Sequence, residues 1–189
     1  MFHDIPASMR QVMRELEEEN DRNQSALRSV SADVGRFLAL MAMAAPEGAF
    51  VELGSSAGYS TLWLSLAARA RGVRLTTVDL DERKVAFARD NISRAGAGDW
   101  VQAVHGDALE HMTRFESIAF CFSDLQPPEL NARVYEQAVP RLVRGGWLII
   151  DNVTSPRLQT DLLNRAENDP RVDSVLLPFA KGDLICRRC

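Results

Sequence analysis

The sequence predicts an α/β fold: a mostly parallel, seven-stranded sheet with helices on both faces and an antiparallel strand pair at its C-terminal end. Three observations predict it. From Ala49 onward, short apolar runs alternate with stretches of helical period, the pattern of βαβ units. Strands joined that way form a parallel sheet covered on both faces. The last two runs, "VDSVLLPF" and "GDLICRR", are joined by only a few residues, Ala180, Lys181 and Gly182 among them. That is too short for a crossover, so they pair antiparallel.

Two amphipathic helices precede this core. Pro6 to Asn20 places Met9, Val12, Met13 and Leu16 on one helical face. "ELEEEN" within it reads as a solvated face. After the polar gap "ENDRNQSALRS", Ser31 caps a second helix that carries Val34, Phe37, Leu38 and Met41. The core strands follow as "AFVEL" (49–53), "RLTTV" (74–78), "WVQAV" (100–104), "SIAFCF" (117–122) and "WLIID" (147–151). Helices lie between them near 60–70, 82–95, 107–114 and 130–143, with a last one near 157–168. Gly96, Gly98, Gly145, Gly146 and Pro127-Pro128 punctuate the chain.

The 189 residues suit one domain, with N-terminal helices over 1–45 and an α/β core over 46–189. Hydrophobic residues make up 46% and charged residues 25%, as in ordinary globular chains. The net charge of −4 argues against a nucleic-acid surface. No apolar run reaches the roughly 18 residues of a membrane span, and the first residues lack a signal-peptide h-region, so the expected location is cytoplasmic. Cys121 reads as a core thiol. Cys186 and Cys189 form a lone C-x-x-C, read as free thiols rather than a metal or redox pair.

Ligands of open α/β sheets bind beyond the carboxyl ends of the strands. Each of the five parallel strands brings an acid to that edge: Glu52, Asp79, Asp107, Asp124 and Asp151. Such a row repels itself unless a cation is shared. The first strand runs into Gly54-Ser-Ser-Ala-Gly58, a G-x-x-x-G rather than the G-x-G-x-x-G of dinucleotide folds. Glu52 would repel a pyrophosphate but suits a ligand bearing an ammonium or sulfonium. S-adenosylmethionine carries both. Asp79 stands where a carboxylate takes ribose hydroxyls, and Asp107-Ala108 would lie near the adenine.

At these residues the chain resembles the class I, Rossmann-like methyltransferases, specifically the catechol and caffeoyl-CoA O-methyltransferase group. The likeness runs from about Ser25 to the C-terminus. It is carried by "VELGSSAGYSTLWLS", "TTVDLDERKVAFARDNISRAG", "RLVRGGWLIIDNV" and "LLPFAKGDLICRR", with "VSADVGRFLALM" like the group's entry helix. The resemblance implies that Glu52 and Ser60 hold the amino-acid end of the cofactor. Gly54 would let the backbone approach it, and Val30 would touch it. Asp79 would bind the ribose and Ala108 the adenine. Asp124, Asp151 and Asn152 match the group's divalent-metal ligands, hard oxygen donors as Mg²⁺ or Ca²⁺ would require. Asp124 is also the catalytic candidate; the alternatives are a cofactor-side acid without metal at Asp124 and a capping turn after the strand at Asp151-Asn152. The implied partner is a small-molecule acceptor.

Two departures stand out. Where the group has a lysine three residues after its first metal aspartate, this chain has Pro127, and "DLQPPELN" holds no lysine. The acceptor-covering segment after Asn152 is short. His105 and His111 read as surface or packing residues rather than bases, and Trp63, Trp100 and Trp147 as packing. An exposed apolar face on the first helix points to a homodimer, as the resemblance does; a packed monomer is the alternative. The competing functions are a cofactor-binding protein that has lost catalysis and, against the loop spacing, a dehydrogenase.

Overall fold

The structure, a computed structural model, describes residues 1–23, 29–154, 160–179 and 181–189, with the Thr160 side chain outside that set. Part of the expected polar gap, including Ser25, falls outside them. So do Ala180 and the first residues expected of the last helix, 157–159. The helices are α1 (Ala7–Arg22), α2 (Ala32–Ala44), α3 (Tyr59–Arg71), α4 (Glu82–Arg94), α5 (Ala108–Met112), α6 (Leu130–Ala138) and α7 (Thr160–Asn168). The strands are β1 (Ala49–Leu53), β2 (Leu75–Asp79), β3 (Val101–His105), β4 (Ile118–Ser123), β5 (Leu142–Ile150), β6 (Val172–Leu177) and β7 (Asp183–Arg188). The seven strands form one sheet in the order β3-β2-β1-β4-β5-β7-β6. The pairs β2–β3, β1–β4 and β4–β5 are parallel, and β7 runs antiparallel to β5 and β6, as expected. Among the described residues no helix is long and apolar enough to cross a membrane.

The chain groups into two compact units, residues 1–44 with 55–107 and residues 45–54 with 108–189. In the first, α1 packs on α3 and α4, and α2 packs on α3. Met9, Val12, Met13 and Leu16 are all buried. The apolar face of α1 is therefore covered inside its own unit, and the exposed surface invoked for a dimer is absent. "ELEEEN" is also more than a solvated face: Glu15 pairs with Arg94 on α4, and Tyr59 on α3 donates its hydroxyl to Glu17. Ser31 caps α2 as expected, its Oγ accepting from the Val34 N–H at 3.3 Å.

In the second unit, Val51, Leu53, Cys121, Leu148 and Ile150 pack with α5, α6 and α7 in one core. Two elements differ from expectation. The helix expected over 130–143 stops at Ala138 and tightens into a 3-10 turn, Val139–Arg141, because Pro140 has no N–H to continue it. Strand β5 starts at Leu142, not Trp147. Ile118 pairs with Leu142 but Phe120 with Trp147, so residues 143–146 bulge. Gly146 permits this: a Cβ there would lie 2.9 Å from the carbonyl oxygens of Ile118 and Val143.

Candidate functional site

Each unit carries part of the predicted constellation. In the first, β2 delivers Asp79 at its carboxyl end. The loop before α3 is a tight turn, with the Gly58 N–H donating to the Ser55 carbonyl at 2.7 Å. Ser56 takes a left-handed φ of 43°, and its N–H donates to Asp79 Oδ2 at 3.0 Å. The Asp81 N–H donates to Asp79 Oδ1 at 3.0 Å. Buried Asn91 on α4 donates its amide to the Ala57 carbonyl at 3.0 Å. The loop is thus tied to the strand-end acid on one side and to a helix on the other. Each Asp79 oxygen has accepted one backbone proton and retains capacity for another donor. Ser55 Oγ is buried and finds no hydrogen-bond partner among the described residues. Ser60 sits in the first turn of α3, Val30 one residue before the α2 cap, and Asp107 exposed beyond β3.

In the second unit, β1 and β4 are parallel neighbours. The chain leaves them in opposite directions across the sheet, which makes their carboxyl ends the switch point where such sheets bind ligands. Glu52 is fully buried on β1. Gly54 has a φ of 96°, and a Cβ there would lie 2.5 Å from the Asp124 carbonyl oxygen. Its close approach is to this neighbouring backbone. Asp124 donates its N–H to the Leu53 carbonyl, and Asp151 donates its own to the Ser123 carbonyl, both at 2.9 Å. These rungs continue the ladder past the strand ends and carry both acids to one edge.

The three expected metal ligands come together there. Asn152, in the left-handed region at φ 63°, donates its side-chain amide to Asp124 Oδ1 at 2.7 Å. Its backbone N–H donates to Asp151 Oδ1 at 2.5 Å. Burial, then the negative charges of Asp151 and Glu52, push the Asp124 carboxyl up to about 7, against the Asn152 bond and the Lys181 charge. Asp183, almost wholly buried at the start of β7, shares a side-chain hydrogen bond with Asp151. Burial holds both carboxyls above the usual range. Asp183 Oδ2 finds no partner among the described residues. Asn131 donates to the Asp151 carbonyl at 3.4 Å. Ala108 opens α5 and is buried. Among the described residues, no three His, Cys, Asp or Glu side chains are arranged as a metal cage. The expected set has only two such residues and takes its third donor from Asn152.

The sequence pointed to the strand-end acids and missed three groups that serve them. Asn91 holds the loop, Asp183 pairs with Asp151, and Lys181 brings positive charge to the acids. Asn91 was legible as a polar residue on the apolar face of α4. Asp183 and Lys181 looked like ordinary hairpin residues. His105, read as a surface residue, is exposed with Nε2 3.1 Å from the Leu80 carbonyl oxygen. Pro127 is exposed after a cis bond from Gln126.

Residues 51–153 match the family model described as a methyltransferase domain. The chain is 34% identical over 126 residues to a catechol O-methyltransferase of Mycobacterium tuberculosis, covering 66% of this chain and 57% of that protein. It is 35% identical over 180 residues to a protein of Mycolicibacterium smegmatis provisionally named an O-methyltransferase, covering 85% of this chain and 83% of that one. The crystal structure of an O-methyltransferase from Bacillus cereus, in complex with SAH, superposes with a TM-score of 0.77 at 25% identity, covering 95% of this chain and 91% of that one. The chain belongs to the methyltransferase family. It spans under three-fifths of the catechol O-methyltransferase from Mycobacterium tuberculosis.

Proposed function

We propose that this chain is an S-adenosylmethionine-dependent methyltransferase acting on a hydroxyl oxygen of a small molecule, as one domain over residues 1–189. The observation that carries the reading is the bond from the Ser56 N–H to Asp79. It clamps a glycine-bounded loop to a strand-end acid whose oxygens can still accept, which suits a ribose beside a turn. S-adenosylmethionine supplies a methyl group on a sulfonium centre for attack by the acceptor oxygen. Glu52 and Ser60 would hold its amino-acid end, as the family resemblance implies, with Glu52 buried on β1. Asp79 would take the ribose hydroxyls, Asp107 and Ala108 would face the adenine, and Val30 and Gly54 would border the cofactor. Asp124 would be the acid at the reacting end. The names of the relatives support oxygen as the target, and the net charge of −4 supports a small molecule over a nucleic acid.

The donor set fits a hard divalent cation. Asp124 and Asp151 offer oxygens whose negative charge burial disfavours, and a cation would relieve that cost. Asp124, Asp151 and Asn152 would hold it, with Asn152 turning its amide oxygen inward. Such an ion would lower the pKa of a bound hydroxyl. A cytoplasmic setting follows from reading Cys121, Cys186 and Cys189 in the sequence as reduced thiols. A homodimer retains only the support of the family resemblance. The second reading, a cofactor-binding protein without turnover, draws on Pro127. Calorimetry with S-adenosylhomocysteine and with NAD, then product detection on a panel of hydroxyl acceptors with and without Mg²⁺, tests the proposal. Turnover on any acceptor removes the second reading.

A further inference from the structure

We propose that the ammonium of Lys181 belongs to the acceptor side of this site, where it pairs with the acceptor oxygen and stabilises it as an oxyanion. The inference rests on reading the edge around Asp124 and Asp151 as the acceptor side. The turn that carries Lys181 is docked on the segment that follows the expected ligands. The Thr154 N–H donates to the Lys181 carbonyl at 2.8 Å, and the Val153 N–H donates to the Gly182 carbonyl at 3.0 Å. The Thr154 hydroxyl donates to the same Lys181 carbonyl. Gly182, at φ 80°, fits because a Cβ there would lie 2.4 Å from Thr154 Cγ2. Asp183, the next residue, is bonded to Asp151. The Lys181 and Gly182 carbonyls are therefore fixed to the Val153–Thr154 segment, while the Lys181 side chain stays exposed.

The charges around it are one-sided. Asp183, Asp151 and Asp124 stand at this edge, and Glu52 acts on Asp124. Lys181 is the cation that acts on both Asp124 and Asp151. An acceptor oxygen that loses its proton at this acid-rich edge gains from a nearby cation, and the exposed ammonium supplies that charge. The step balances simply. The acceptor hydroxyl gives its proton to solvent water, its electron pair stays on oxygen, and Lys181 keeps all of its own protons. The acceptor class that follows is a hydroxyl acidic enough to ionise beside an ammonium, a phenol or enol rather than an alkyl alcohol.

The test is spectroscopic. 4-Nitrocatechol is titrated by absorbance while bound to the S-adenosylhomocysteine-loaded protein in Mg²⁺, for wild type, Lys181→Met and Lys181→Arg. Wild type should bind the probe with its pKa lowered. Lys181→Met should raise the bound pKa by roughly one unit, a tenfold loss in ionisation constant, and Lys181→Arg should restore it. Affinity for S-adenosylhomocysteine should be the same in all three. An identical bound pKa in wild type and Lys181→Met overturns the proposal. So does wild type that binds S-adenosylhomocysteine but leaves the probe free in solution. Failure of wild type to bind S-adenosylhomocysteine would instead overturn the methyltransferase reading on which it rests.

Discussion

Ser56 donates its backbone N–H to Asp79 Oδ2 at 3.0 Å, across 23 residues of sequence. The bond makes one carboxylate a clamp on the loop, and under the proposed function the same carboxylate would bind what the loop faces. Replacing Asp79 by Ala should weaken S-adenosylhomocysteine binding by about 1–3 kcal/mol, the cost of losing charge-assisted hydrogen bonds. Titration calorimetry on folded variant protein reads this directly. An unchanged affinity would take the ribose away from Asp79.

The buried acids predict a cation effect that needs no substrate. Mg²⁺ at about 100 times its dissociation constant should stabilise the protein by about 2.7 kcal/mol, seen as a rise in melting temperature. Asp151→Asn should lose most of that rise. A melting temperature indifferent to Mg²⁺ in wild type would remove the metal from this site.

Asp169 gives a pH prediction away from the site. The Arg171 guanidinium, the Arg171 N–H and the Tyr135 hydroxyl hold its carboxyl well below the usual aspartate range. A group whose pKa is depressed by folding adds stability above its unfolded value, about 3.9. That stability is lost as pH falls below it toward the native value. Acid unfolding below about pH 4 should therefore be less steep in Asp169→Asn than in wild type. Equal slopes of melting temperature against pH in that range would refute it.

Packing within the first unit hinges on Gly35. A Cβ there would lie 2.2 Å from Trp63 Cδ1, so α2 rests its backbone on the indole. Gly35→Ala should destabilise by about 1–3 kcal/mol, as overpacked cores do, despite the better helix propensity of alanine. Denaturant titration checks it, and a stabilised variant would show that the indole moves aside freely.

The strand pattern, the antiparallel ending and the acids at the strand ends were legible because apolar period and strand-end chemistry are local properties of sequence. Asp124, Asp151 and Asn152 could be named from motif and then found in contact, because the ladder bonds beyond β4 and β5 fix their backbone. Other features depend on distant partners and left no local mark. Asp183 reads as a turn residue until its antiparallel strand brings it to Asp151. The acidic run in α1 reads as solvated until Arg94 and Tyr59 reach it. The early start of β5 hides in a bulge that only the pairing with β4 reveals. The stop of α6 was legible in Pro140.

Under the proposed function, this glycine loop and its acids bind an S-adenosylmethionine-type ligand. Titration calorimetry of the wild-type chain with S-adenosylhomocysteine, alongside NAD, tests it most directly. Saturable one-site binding of S-adenosylhomocysteine and no heat from NAD are expected. Binding of NAD, or no binding of S-adenosylhomocysteine by folded protein, would contradict it.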